Sequence, residues 1–314
     1  MIPWREAWQD ALYGAGGFYR RPEGPAGHFA TSAHPPLGPV FAAAVLELAR
    51  RDGRSTIIDL GGGRGELLAA LHHLDPDIGL LGLDVVERPE ALPDAVDWLV
   101  SPGGPSFPDA LTDLDDVLVV ANEWLDVVPC TVAQVDDAGA LREVLVELAT
   151  GTETLGGHLA AAEQAWVNAH WPGSALVPGE RLETGLTRDA AWSDIAHRVR
   201  RGTLVAVDYG HTDSSRPVGG TLMGYAHGLP VPPVPDGSCD LTAHVAMDSL
   251  ADAEVRTQRD WIRDLLGSGE TPAEGLAHRD PPAYLHALSR RGVIAQLCDP
   301  AGLGGFLWAV RRLP

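Results

Sequence analysis

The apolar positions of this chain change period several times, and each change marks an element. Over residues 3–12 and again over 37–51, apolar side chains recur every three or four positions, which predicts helices. Thr56–Leu60 (TIIDL) is a short apolar run, the pattern of a buried strand. It ends in Gly61, Gly62, Gly63 and Gly65, and a helical pattern resumes over Glu66–Leu74. Further strands are predicted at 78–84, 97–101, 116–121, 203–207 and 305–310, the clearest being DVLVVA at 116–121. Residues 130–148 alternate around Asp137-Ala138-Gly139, a hairpin pattern. Helices are expected over 163–170, 190–200, 243–250, 257–266 and 282–290, and a long Gly/Pro-rich loop over 218–240. Strands alternating with helices predict an α/β, doubly wound, mostly parallel sheet. No stretch reads as a linker, so residues 1–314 are expected to form a single domain. Residues 1–51 form an N-terminal helical segment in this reading, and 130–200 and 211–300 are insertions.

The richest chemistry lies where the first strand breaks into glycine. A strand that ends in glycines and re-enters as a helix lets backbone approach a bound nucleotide, because each missing Cβ would block the approach or forbid the turn. A dinucleotide fingerprint requires G-x-G-x-x-G. Counted from Gly61 the sixth position is Glu66, and no other register repairs it, which disfavours a nicotinamide-dependent oxidoreductase. The spacing present, Gly61-x-Gly63-x-Gly65, resembles the first motif of class I methyltransferases. That resemblance implies S-adenosyl-L-methionine as cofactor. Asp84 ends the second strand, where an acid can accept both ribose hydroxyls, and Glu87 competes for that place. Asp84 is alternatively a solvated surface acid. Asp59 either orders the glycine loop, meets the cofactor amine through water, or caps the turn.

Residues 121–129 (ANEWLDVVP) leave the fourth strand where the methyl donor of such an enzyme points at its acceptor. N-methyltransferases often place an Asn-Pro-Pro-aromatic turn here; this chain lacks the Pro-Pro. An Asn122 amide oxygen can accept a substrate N–H, and Glu123 with Asp126 can clamp a guanidinium in bidentate fashion. The alternative is that Asn122 and Asp126 cap a following helix. Direct methyl transfer needs alignment and electrostatics rather than a metal or a nucleophilic side chain. Consistently, the 12 histidines are scattered and no metal spacing is seen.

Composition narrows the partners. A net charge of −20 argues against nucleic acid and suits a cationic partner, or simply solubility. All 23 basic residues are Arg. No apolar run approaches the roughly 20 residues that span a bilayer. The first residues lack a basic region and a long apolar core and carry acids, so neither a secretory signal nor a transit peptide is expected. Cys130, Cys239 and Cys298 are odd in number and show no metal spacing, which fits a reduced cytoplasm. The hairpin near 130–148 offers an edge for a homodimer.

Several segments, in order, resemble one family, the MidA-like methyltransferases, which include the mitochondrial complex I assembly factor that methylates arginine. The matching segments are Gly17-Phe18-Tyr19, residues 27–34 (GHFATSAH), Leu60–Gly65, and Asn122, Glu123, Asp126 and Pro129. They continue with residues 207–210 (VDYG), Gly220-Thr221-Leu222, DLTAHV over 240–245, and Thr257, Gln258 and Trp261. The resemblance implies a Rossmann-like class I methyltransferase fold with a seven-stranded sheet, S-adenosyl-L-methionine, and a protein nitrogen, arginine above all, as acceptor. By motif position it implies Asn122, Glu123 and Asp126 as catalytic residues, with Asp59, Gly61, Gly63, Gly65, Asp84 and Glu87 at the cofactor. Phe29, Thr31, His34, Asp208, Tyr209 and His244 would lie by the substrate, with the two insertions as an acceptor-side subdomain. The chain departs from the pattern at His28, Ala33-His34, Met223 and Ala226, all on the acceptor side. Those departures leave open a different acceptor, or a catalytically silent assembly or interaction factor that keeps the cofactor for stability.

Overall fold

The computed structural model describes residues 1–21, 31–171 and 176–314. Its frame is a sheet of β1 (Thr56–Leu60), β2 (Gly79–Asp84), β3 (Val96–Val100), β4 (Leu114–Asn122), β5 (Val199–Asp208), β6 (Glu254–Thr257) and β7 (Leu307–Leu313). The spatial order is β3-β2-β1-β4-β5-β7-β6. β1 to β5 pair in parallel, and β7 runs antiparallel to both of its neighbours. This is the Rossmann-like, mostly parallel, seven-stranded α/β sheet expected.

The strands read as unbroken apolar runs because both faces are covered. Ile57, Leu118, Val120, Val205 and Val207 face the helices Gly38–Arg51, Glu66–Leu74, Gln258–Leu266 and Pro281–Leu297. Their neighbours Ile58, Val117, Val119, Leu204 and Ala206 face the helix Leu186–Arg198. The strand order reverses between β1 and β4, and the crevice outside their carboxyl ends is where an open sheet of this kind binds ligands.

The hairpin forms as its pattern predicted: Val132–Val135 and Leu141–Val146 pair antiparallel. Both of its flanks are already taken within the chain, by Arg181–Glu183 and by Glu153–His158. Ile2–Pro3 also pairs with Leu141–Val146, so the hairpin strands lie inside this second sheet and not at its edge. The N-terminal helix Trp4–Tyr13 packs Trp4, Trp8 and Leu12 against it and against Leu241.

Two expectations need correction, and one strand was not foreseen. Residues 218–240 are not a plain loop. Met223–Ala226 pairs with Leu229–Val231 and with Asp240–Thr242 in a small sheet whose strands are too short to show a period. Residues 243–250 are not a helix. Val245–Ala246 pairs with Gly210–His211, and Met247–Ser249 makes one 3-10 turn, because burial of Val245 and Met247 against the central sheet overrides helical spacing. The edge strand β6 is polar (EVRT) and carried no strand signal. Among the described residues no helix is long and apolar enough to cross a membrane.

Candidate functional site

The glycine turn does what its sequence requires. Gly61, Gly63 and Gly65 all lie at positive φ (71°, 57° and 79°), where only glycine is unstrained. The N–H groups of Gly61 and Gly62 both donate to the Leu83 carbonyl at 2.9 Å, pinning the turn to the end of β2. A Cβ at Gly61 would lie 2.8 Å from Trp124 Cδ1, and one at Gly65 2.5 Å from Leu92 Cδ2. At Gly63 a Cβ would meet only Glu66 Oε2, at 3.7 Å, so the space above Gly63 belongs to a cleft. That cleft bares the glycine backbone, which could cradle a nucleoside.

Asp84 reaches back into the turn. Its Oδ2 accepts the Gly63 N–H at 2.9 Å and its Oδ1 the Val86 N–H at 3.3 Å. Burial pushes its carboxyl up to about 6, against the pull of those N–H groups. Asp59, at the end of β1, is buried and pushed up to about 8 by loss of water and by the charge of Asp84.

The other wall is the turn after β4. Glu123 sits in the left-handed region at φ 51°, its N–H donating to the Val207 carbonyl at 2.8 Å. Such strain persists only where the surroundings enforce it. β5 enforces it a second time, because Asp208 Oδ2 accepts the N–H groups of both Leu125 (3.0 Å) and Asp126 (3.1 Å). Glu123 Oε1 accepts the Ser32 N–H and the Asn122 amide, both at 3.3 Å. Its carboxyl is pushed up to about 8 by burial, then by Asp126. The Tyr209 hydroxyl donates to Asp126 Oδ2, and that of Tyr19 to Asp240 Oδ1 at 2.8 Å. Asp126, Asp208 and Asp240 are 3%, 0% and 1% exposed. Burial raises all three carboxyls, Asp126 to about 6. Arg188 lies nearby, also buried, but donates to the carbonyls of Val128, His244 and Asp126. Asn122 Oδ1, Asp126 Oδ1, Asp208 Oδ1 and Asp240 Oδ2 are buried acceptors without a partner among the described residues. Unpaired acceptors of this kind are costly, and four in one neighbourhood await protons or donors.

The cleft gathers Asp59, Gly61, Gly63, Asp84, Asn122, Glu123, Thr31 and His34 of the residues expected at a site. His34 Nδ1 accepts the Thr31 N–H at 3.1 Å, and its Nε2 lies 3.9 Å from Glu66. Asp126, Asp208 and Tyr209 lie behind the Glu123 turn rather than on the cleft wall. Gly65 packs on Leu92, Glu87 is exposed away from the cleft, and His244 is exposed with its ring edge-on to Tyr209. Phe29 lies outside the described residues. Asn122 and Asp126 do not cap a regular helix, because a turn rather than a helix follows β4. The sequence reading missed Tyr13, Tyr19, Ser101, Gly103, Phe107 and Trp124 as cleft walls. Gly103-Gly104 just past β3, on the same edge of the sheet as the glycine turn, was the available signal.

Comparison with known proteins supplies the class. Residues 37–262 match the model of a family described as S-adenosyl-L-methionine-dependent methyltransferases. A solved superfamily member from Burkholderia thailandensis, bound to S-adenosyl-homocysteine, is 23% identical with a TM-score of 0.75, over 98% of this chain and 87% of that one. A native crystal structure of an uncharacterized protein from the same organism gives 24% and 0.74, over 99% and 87%. Both likenesses concern the fold. No match was found among proteins of curated function. The family match spans most of the chain, including the glycine turn and the β4 turn, and the nicotinamide alternative finds no support in it. The chain belongs to this family of methyltransferases, and its cofactor is S-adenosyl-L-methionine.

Proposed function

We propose that this chain methylates a nitrogen of an arginine guanidinium in a protein, as a MidA-like methyltransferase. The observation that carries the reading is the group of four unpartnered acceptors on Asn122, Asp126, Asp208 and Asp240, just behind the cleft. A guanidinium brings five donors and one positive charge, and so matches an acceptor-rich site of this kind better than a hydroxyl or a thiol does. In this reading Glu123 and Asn122 meet the acceptor from the cleft wall. Asp126, held by Tyr209, supplies the second carboxylate from behind the turn, and Thr31 and His34 line the approach. The sulfonium methyl passes to the guanidine nitrogen, and the proton displaced from that nitrogen leaves through a carboxylate. Residues 1–51 act as a lid, and 130–200 with 211–300 as the acceptor side.

The test is transfer of labelled methyl from S-adenosyl-L-methionine to arginine-containing peptides, read as methylarginine after acid hydrolysis. Glu123→Gln should cut transfer at least about tenfold, the loss expected for one charge-assisted contact, while S-adenosylhomocysteine still binds. Label found only on lysine, histidine or a small molecule rejects the arginine reading.

A further inference from the structure

The cofactor cleft is lined by four carboxylates, Asp59, Glu66, Asp84 and Glu123, and among its described lining residues there is no arginine. The chain contains no lysine. Among the described lining residues His34, beside Glu66, is the one basic group. Behind Glu123, Asp126, Asp208 and Asp240 hold unpartnered carboxyl oxygens, and the buried Arg188 beside them turns a donor from each of its nitrogens to a carbonyl. The donor and its product differ little in shape but differ in charge. In transfer the methyl leaves sulfur, the C–S bonding pair stays on sulfur, and the cationic sulfonium becomes a neutral thioether. A partly desolvated anionic cleft holds those two forms by different amounts even when every other contact is the same.

We propose that Glu123, backed by the buried acids, makes this cleft prefer the cationic donor over its neutral product, so that the transfer itself loosens the product. The inference rests on the cofactor assignment and is independent of which acceptor is used. Its pH signature follows from which form of Glu123 attracts a cation. The ionised form does, and Glu123 ionises near 8, so the preference grows as pH rises through that region. Asp59 from β1, also near 8, and Asp84 from β2, near 6, push the same way. From behind, Asp208 on β5 and Asp240 share the upward shift, and Tyr19 and Tyr209 are themselves raised, so they stay neutral and oppose nothing.

The experiment is calorimetric titration of the whole protein with S-adenosyl-L-methionine, S-adenosylhomocysteine and sinefungin, whose amine replaces the sulfonium. The ratio of product Kd to donor Kd should rise at least about threefold between about pH 6.5 and 9, as one charge in a half-solvated cleft would give. Sinefungin should follow the donor. In Glu123→Gln most of that rise should vanish while the product Kd stays put. A flat ratio in the native chain, or a rise that Glu123→Gln leaves intact, overturns the proposal. Repeating the native titration near pH 8 in buffers of different ionisation heat needs no variant: the donor should release more protons than the product, and equal release also overturns it. A chain that binds none of the three ligands refutes the cofactor assignment instead.

Discussion

At the scale of single residues, Asp208 shapes this site without lining it. One carboxylate oxygen collects two backbone N–H groups from the turn that carries Glu123, at 3.0 and 3.1 Å, in a place with no access to water. Removing it in Asp208→Ala leaves two buried donors unsatisfied, at a cost of about 1–3 kcal/mol in folding stability. The turn then loses one of the two restraints that hold Glu123 at positive φ. Methyl transfer should fall by more than the stability loss explains, with the Kd of S-adenosylhomocysteine nearly unchanged. Asp208→Asn keeps an oxygen for both donors and should recover most of the stability. Denaturant midpoints beside turnover separate the two effects, and a variant whose turnover matches the native chain would show that the turn holds itself. Asp84 makes the converse case. Asp84→Ala frees the Gly63 N–H and empties the cleft wall, so it should weaken donor binding at least about tenfold in equilibrium titration.

At the scale of elements, the strand–glycine–helix turn was legible because local rules and the fold agree there. Strand Thr56–Leu60 and helix Glu66–Leu74 begin and end where the apolar period changes. What the sequence could not show is why each glycine is needed. Gly61 answers to Trp124, 63 positions away, and Gly65 to Leu92. Gly61→Ala adds positive-φ strain and drives a methyl onto the fixed edge of an indole, so a cost of about 1–3 kcal/mol is expected, with weakened donor binding. Gly65→Ala adds the same positive-φ strain and drives its methyl onto the buried Leu92 side chain, off the cleft wall, so it should cost stability with little change in donor Kd. Thermal melts and donor titration of the two variants test this, and equal losses of affinity would contradict it. The polar edge strand β6 and the short strands over 223–242 stayed illegible for a physical reason. Their residues become strands only because a partner strand is present, and three or four positions carry no period. The acceptor side was legible mainly as motifs. Asp126 and Asp208 were singled out as candidates, but no pattern told that they meet behind Glu123 rather than on the cleft wall.

At the scale of the whole molecule, the buried acids bear on how stability depends on pH. Asp59 and Glu123 are raised to about 8, Asp84 and Asp126 to about 6, and Asp208 and Asp240 upward as well, with burial the leading cause in each. A carboxyl raised on folding binds its proton more tightly in the folded chain than in the unfolded one, where it titrates near 4. Between those two values the folded state holds more protons, so stability falls as pH rises. The loss should run from about pH 4 to about 8, opposite to the behaviour of a protein whose acids are salt-bridged. Self-repulsion from a net charge of −20 acts in the same direction, but it belongs to the surface and is screened by salt, whereas the buried set is not. Urea midpoints should therefore drop from about pH 6 to 8.5, and about 0.5 M salt should remove only part of the drop. Saturating S-adenosyl-L-methionine should narrow what remains more than S-adenosylhomocysteine does, because only the donor brings the sulfonium charge into the cleft. A midpoint that rises over this range, or a drop that salt abolishes, would mean that the buried carboxyls find partners in solution.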